Sequence, residues 1–371
     1  MASLPVEDRI SELPDSLLCY ILSFMPTKYA VRTSALSPRW NRVWASVPVL
    51  DLDESSFSGS KSFELFVRRV LYFCNSSGVQ KFTLNYGYWP KSLSEIDGWV
   101  RIAIMHKLVE LDLHVSDLSL LLIETNPKHG LMEKLVDGCP ALEELAVTGS
   151  VWEENLGFNI SVLELMKLTI HLATYIDNFI EYVSRINVNV YVRAPKLEYF
   201  DLQQTVLSSC VLENSESLVK ASIDPTDHNV TEHPTFAGPA TALLAQICNL
   251  KSLSLSAHSL DAKLLKRSSN LESLVLEQVR YGCGIEKTKI FLHPPELVPN
   301  CLLSHIKTIC IIRFRGMNDE FEVAKYLLKN GEVLNSMKIY TDGDVGTKKL
   351  EKILKFERGS KTCKVEICRE D

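Results

Sequence analysis

Ten times along this chain an apolar residue is followed by two others, a second apolar residue, one more residue and a third apolar one. The instances are VQKFTL (79–84), LVELDL (108–113), LEELAV (142–147), LMKLTI (165–170), LEYFDL (197–202), LVKASI (218–223), LKSLSL (250–255), LESLVL (271–276), IKTICI (306–311) and LNSMKI (334–339). The intervening positions are mostly polar, and several instances share a lead-in: CPALEEL, APKLEYF, NLKSL and NLESL. Their starts fall 21 to 35 residues apart, the period of one strand plus a helix or loop. Helical patterns occupy several gaps, as in SEIDGWVRIAIMHK (94–107), GLMEKLVDG (130–138) and DNFIEYVSRI (177–186). The arrangement predicts an irregular leucine-rich solenoid. Each repeat contributes one strand to a parallel sheet, buries alternate side chains and leaves those between on an open face. No repeat can bury its apolar side alone, so stacking supplies the core.

That alternation nominates Asp112, His114, Thr148, His171, Asp201, Gln203, Ser254, Ser256 and Glu277 as outward-facing residues of a binding face. Their mixed polarity suits a protein partner better than a single small ligand. For any one of them, plain solvation is the simpler reading.

Both ends of the chain depart from the repeat. Residues 12–47 read as three short helices. Asp15 is placed to cap the first and Pro26 to stop it, while Leu17, Leu18, Ile21 and Leu22 form one stripe. The second helix starts at Thr27 and carries Ala30, Val31 and Leu36. The third has Ser37 as N-cap and Pro38 at its first position, where a missing N–H costs nothing. It sets Trp40, Val43 and Trp44 on one face. A unit this small buries only about 60% of its unfolded surface. An apolar patch is therefore left over, covered by the rest of this chain or by a partner. The Ser/Gly-rich stretch after these helices, DESSFSGSKS (53–62), reads as a linker or loop. From residue 296 the pattern becomes strand, helix (318–331), strand, helix (346–360) and a last strand, CKVEIC (363–368), a βαβαβ cap for the solenoid.

Composition removes several function classes. A net charge of −6, with Lys and Arg interleaved among acids, argues against nucleic acid as a partner. The start MASLPVEDRI lacks the features of a signal peptide, and the longest aliphatic run, LSLLLI (118–123), is too short to cross a bilayer. The ten cysteines include no CxxC pair, and CKVEIC has the wrong spacing for structural zinc, so they read as buried thiols in a reducing compartment, nuclear or cytosolic. No metal, cofactor or catalytic motif is expected: YGCG (281–284) lacks the ending of a phosphate loop, and the nine histidines contain no HExxH.

Three segments together resemble a known family. DRISELPDSLLCYILSFMPTKYAVRTSALSPRWNRVWASVPVLDLD (8–53) is similar to the F-box of the plant F-box, leucine-rich-repeat, FBD group. WVRIAIMHKLVELDL and GCPALEEL resemble the group's repeat phrases, and VPNCLLSHIKTICIIRFRGMNDEFEVAKYLLKNGEVLNSMKIYT resembles its FBD segment. The resemblance implies an α/β chain with an F-box at 6–50, a linker at 51–62, a leucine-rich-repeat solenoid at 63–295 and an FBD domain at 296–371. It implies a substrate-receptor subunit of a Skp–cullin–F-box ubiquitin ligase: non-catalytic, binding a Skp-type adaptor and through it a cullin, with the repeats recruiting a target protein. The family's adaptor motif falls on Leu13, Pro14, Leu17, Leu18, Ile21, Leu22, Val31, Leu36, Trp40 and Trp44. The family usually has Lys or Arg where Pro38 stands and Pro where FERGS reads Glu. It also has one or two more repeats between the VELDL and GCPALEEL phrases, which implies a solenoid short on that side and a substrate surface altered or lost there. Two other functions stay open: a repeat-based receptor for a small ligand, and a scaffold that recruits nothing for degradation.

Overall fold

The structure is a computed structural model that describes residues 10, 12–74, 78–87, 93–105, 107–118, 139–151, 155–173, 187–204, 209–224, 243, 246–247, 249–256, 265, 268–277, 298–341 and 345–369. Two compact units divide the chain, Met1–Gly149 and Ser150–Asp371.

The first unit opens with three helices, α1 (Asp15–Leu22), α2 (Thr27–Arg32) and α3 (Pro38–Ala45), the second extended by a 3-10 turn at Thr33–Ala35. Pro14 takes the cap position expected of Asp15, which begins α1 instead; Pro38 stands at the start of α3 as expected. Four parallel strands follow in the order β1 (Val49–Asp53), β2 (Lys81–Tyr86), β3 (Glu110–Val115) and β4 (Glu144–Ser150). Helices α4 (Ser60–Phe73) and α5 (Leu93–Ile104) are the first two crossovers. A parallel pair needs such a crossover, and here it buries Phe63, Val67 and Val70 from α4 with Ile96, Trp99 and Val100 from α5. Phe63, Tyr86 and Trp99 meet at centroid distances of 5.6–6.1 Å.

The stretch read as a linker, 51–62, is built differently. Asp51 to Asp53 pair in register with Thr83 to Asn85, Glu54–Ser56 form a 3-10 turn, and α4 begins at Ser60. Ser and Gly mark only a turn here, because Leu50 and Leu52 alternate with acids and are drawn into the core as a strand. Nor does a gap follow β3: it pairs directly with β4 from Glu110↔Glu144 to Val115↔Gly149. The helix expected at 130–138 lies outside the described residues, as does the one at 177–186.

The second unit holds eight parallel strands in the order β6 (Lys167–Ala173), β8 (Tyr199–Gln204), β10 (Lys220–Asp224), β11 (Ser252–Ser256), β12 (Ser273–Glu277), β13 (Thr308–Phe314), β14 (Ser336–Thr341) and β15 (Lys364–Arg369). Every one of the ten hexamers in the chain starts two residues before a strand of these sheets. A separate three-stranded parallel sheet, β5 (Asn155–Ser161), β7 (Asn187–Arg193) and β9 (Ser209–Glu213), was not anticipated. Its members immediately precede β6, β8 and β10 in the chain, and they bury Phe158, Ile160, Val190, Val192 and Leu212. Helices return toward the end as α6 (Asn300–Ser304), α7 (Asn318–Asn330) and α8 (Thr347–Leu354), the last shorter than its sequence pattern. Because β12 pairs with β13 from Ser273↔Thr308 onward, the sheet runs without a break across the expected boundary at 295/296.

Candidate functional site: the helical patch and the open sheet faces

Helices α1 to α3 sort their apolar residues into two sets. Leu18, Leu22, Ala30, Trp40, Val43 and Trp44 are buried, the two Trp at 6% and 8% exposure. Leu17 and Ile21, one position earlier in each pair of α1, are 46% exposed, and Leu36 is 68% exposed. The 100° rotation per residue produces this split: within Leu17-Leu18 and Ile21-Leu22 one member faces in and the next faces out. Pro14 is exposed, while Leu13 and Val31 are half-buried. Beside them stand exposed Ile10, Tyr20, Phe24, Met25 and Tyr29, with Tyr20 and Phe24 in an edge-to-face contact at 4.9 Å. These last five residues escaped the sequence reading. Tyr20 and Phe24 lie four apart in the expected stripe, a spacing that would have found them.

Polar contacts fix this patch to its supports. Arg39 of α3 pairs with Asp15 at 2.7 Å and donates to the Leu13 carbonyl. Cys19 Sγ lies 3.3 Å from the Val43 carbonyl. Burial, then the Asp15 carboxylate, raises the Cys19 pKa. On the sheet side, the Asp51 N–H donates to the Thr27 hydroxyl at 2.7 Å. Lys28 donates to the Ser56 carbonyl and sits 4.4 Å from the Phe57 ring centroid.

The sheet faces carry the second set of residues. In the first unit Asp112 and His114 are exposed on β3, with Ala146 and half-buried Thr148 opposite them on β4. Around them lie Asp51, Asp53, Glu110 and Glu144, and Lys81 pairs with Glu110 at 2.6 Å. Burial, then the Asp53 carboxylate, pushes the Asp51 carboxyl up.

In the second unit the outward positions of β6 to β13 form an ionic array. His171 Nε2 lies 3.2 Å from Asp201 Oδ2, and the Tyr199 hydroxyl donates to the same oxygen at 3.3 Å. Burial works to raise the Asp201 carboxyl, but hydrogen bonds from His171, Ser222 and Tyr199 outweigh it and hold the carboxyl below its ordinary range. Arg313 Nη1 meets Glu277 Oε1 at 2.8 Å. Between these pairs stands Asp224, beside Gln203 in the register. Burial first, then the nearby Glu277 carboxylate, pushes it up to about 6. Gln203 and Ser254 are half-buried on the same face; the side chain of Ser256, at the end of β11, is outside what the structure describes. Sequence reasoning found Asp201, Gln203, Ser254 and Glu277 but missed Asp224 and Arg313. Asp224 follows its hexamer by one residue and was within reach. Arg313 was not, because a register shift between Ile311 and Phe314 and a left-handed φ of 59° bring it onto this face.

Among the described residues no group of His, Cys, Asp or Glu has the makings of a metal site, and no helix is long and apolar enough to cross a membrane.

Comparison with known proteins adds two domain matches: the F-box domain model matches residues 10–52 and the FBD model residues 293–339. Among curated proteins, an FBD-associated F-box protein of Arabidopsis thaliana is 26% identical, covering 98% of this chain and 94% of its own. An Arabidopsis F-box/LRR-repeat protein is 29% identical over 90% of this chain and 88% of its own. An Arabidopsis F-box/FBD/LRR-repeat protein is 28% identical over 88% and 91%. The first alignment runs to 449 positions against a chain of 371 residues, so that relative carries segments this chain lacks. With the helical patch inside the one match and β13 and the start of β14 inside the other, the chain carries an F-box and an FBD segment and is similar along nearly its whole length to F-box/FBD/LRR-repeat proteins of Arabidopsis thaliana.

Proposed function

We propose that this chain is a substrate-receptor subunit of a Skp–cullin–F-box ubiquitin ligase. Its F-box holds a Skp-type adaptor, and the open faces of its strand repeats, an irregular leucine-rich solenoid, hold the protein to be modified. The chain binds and presents without covalent chemistry of its own, in the nucleus or cytosol. Its contribution to rate is proximity, keeping a target lysine within reach of a charged ubiquitin carrier. The observation that carries the reading is the set of solvent-facing Leu17, Tyr20 and Ile21 on α1, with Phe24 and Leu36 in the turns between the helices, while Leu18, Leu22, Trp40 and Trp44 are already buried. Such a patch, rimmed by polar groups, is the mark of a protein-binding surface.

Co-purification of the full chain with a Skp-type adaptor and cullin tests the first half. Ubiquitination of proteins that the chain captures, compared with a Leu17→Asp/Ile21→Asp variant, tests the second. A chain that captures no adaptor, or captures partners that gain no ubiquitin, refutes the corresponding half.

A further inference from the structure

Three carboxylates, Asp201, Asp224 and Glu277, share the open face of the second unit with one guanidinium, Arg313. Their hydrogen bonding is unequal. Asp201 receives His171, Tyr199 and Ser222, and Glu277 receives Arg313. Asp224 Oδ1 is out of contact with solvent and, among the described residues, has no donor. A buried carboxylate oxygen without a donor is costly, and the cost is smaller when the carboxyl is protonated, because a neutral polar group is cheaper to bury than a charge. Among the described residues, the charged groups that influence Asp224 all come from other strands of the sheet: Asp201 from the adjacent β8, His171 from β6, Glu277 from β12 and Arg313 from β13. On its own strand, Lys220 turns away over the Tyr199 ring, 5.2 Å from the centroid.

We propose that Asp224 is a proton-operated switch in the middle of this face, set by Glu277 and Arg313, which changes the charge the face offers to a recruited protein. Ionised, the four side chains present two net negative charges; with Asp224 protonated they present one. A cationic segment of a recruited protein is held in the first state and loosened in the second. That consequence rests on reading the face as a recruiting surface, but the proton switch itself does not.

Burial raises the carboxyl from its ordinary 3.8 to about 6, so the ionisation of the folded chain falls near pH 6. An ordinary Asp would already be charged at pH 5. The test is the electrophoretic mobility of the full-length wild-type chain against Asp224→Asn, at fixed ionic strength from pH 5.0 to 7.5. The two differ by one charge at pH 7.5, and the difference shrinks to about a tenth of a charge at pH 5.0. Removing the neighbouring carboxylate (Glu277→Gln) moves the midpoint to lower pH, and removing the guanidinium (Arg313→Gln) moves it higher. Circular dichroism confirms that each variant is folded. A full one-charge difference persisting at pH 5.0 overturns the switch, as does a midpoint indifferent to both neighbours. Neither result touches adaptor binding, so loss of the switch and loss of the ligase reading are separately visible.

Discussion

Truncating Ile21 and Leu22 separately puts the two-sided division of α1 to measurement. Leu22 is 2% exposed, so Leu22→Ala opens a cavity in the buried core of the first unit and costs about 2–5 kcal/mol of stability. In a unit the size of Met1–Gly149, a loss of about 3 kcal/mol lowers the melting midpoint by roughly 6–12 °C. Ile21 is 46% exposed, and its truncation removes only about 1 kcal/mol of burial. If Ile21 lies near the centre of the adaptor contact, the same truncation costs at least about 2 kcal/mol of binding, a loss of about thirtyfold. Circular dichroism melts and calorimetric titration with a Skp-type adaptor read the two quantities on one set of samples. The expected pattern is crossed: Leu22→Ala melts early, while Ile21→Ala melts near the wild type and binds poorly. An Ile21→Ala protein that binds with undiminished affinity, together with Leu17→Ala and Phe24→Ala proteins that do the same, refutes the assignment of this patch to the adaptor.

Substitutions at three further positions test the supports. Thr27→Val strands the Asp51 N–H beneath α2 and costs about 1–3 kcal/mol in chemical denaturation, whereas Thr27→Ser keeps the acceptor and recovers most of it. Gly149→Ala places a Cβ 2.0 Å from the Val115 carbonyl oxygen and 2.8 Å from Leu118, so β3 and β4 have to separate. A loss of about 1–3 kcal/mol is expected, visible as a lower denaturant midpoint. Glu320, 4% exposed, accepts the N–H groups of Met317 at 2.8 Å and Arg315 at 3.1 Å at the start of α7. Glu320→Ala therefore destabilises the second unit by about 1–2 kcal/mol, read by its melting midpoint.

The repeat strands were legible because one short pattern carries both a period and an alternation, and a strand uses both. The pattern marks the strand start to within two residues at all ten places. Strands β5 and β7 were invisible to it for a physical reason: NLGFNIS and NVNVYVR alternate perfectly well, but no apolar residue stands three positions before the first buried one. The start of β9, LSSCVL (207–212), fits the pattern once Cys is counted as apolar. The linker was misread because Ser and Gly weigh heavily in composition, while Leu50 and Leu52, just two residues, decide the strand. In the F-box, the stripe of α1 was found but not its two sides. Sequence gives the spacing of Leu17, Leu18, Ile21 and Leu22, and only the packing of α3 tells which of each pair is covered. Arg313 could not have been placed from sequence at all, since its position depends on one left-handed residue in β13.

The hydroxyl of Thr27 does more than satisfy one amide. An outer strand of a sheet offers a line of vacant donors and acceptors to any extended chain that drifts by. Here the helix that follows α1 takes the Asp51 donor, so β1 is guarded by the helical module that precedes it. The same bond ties the direction of that module to the direction of the first four strands. Whatever grasps the exposed side of α1 also aims the sheet surface that bears Asp112 and His114.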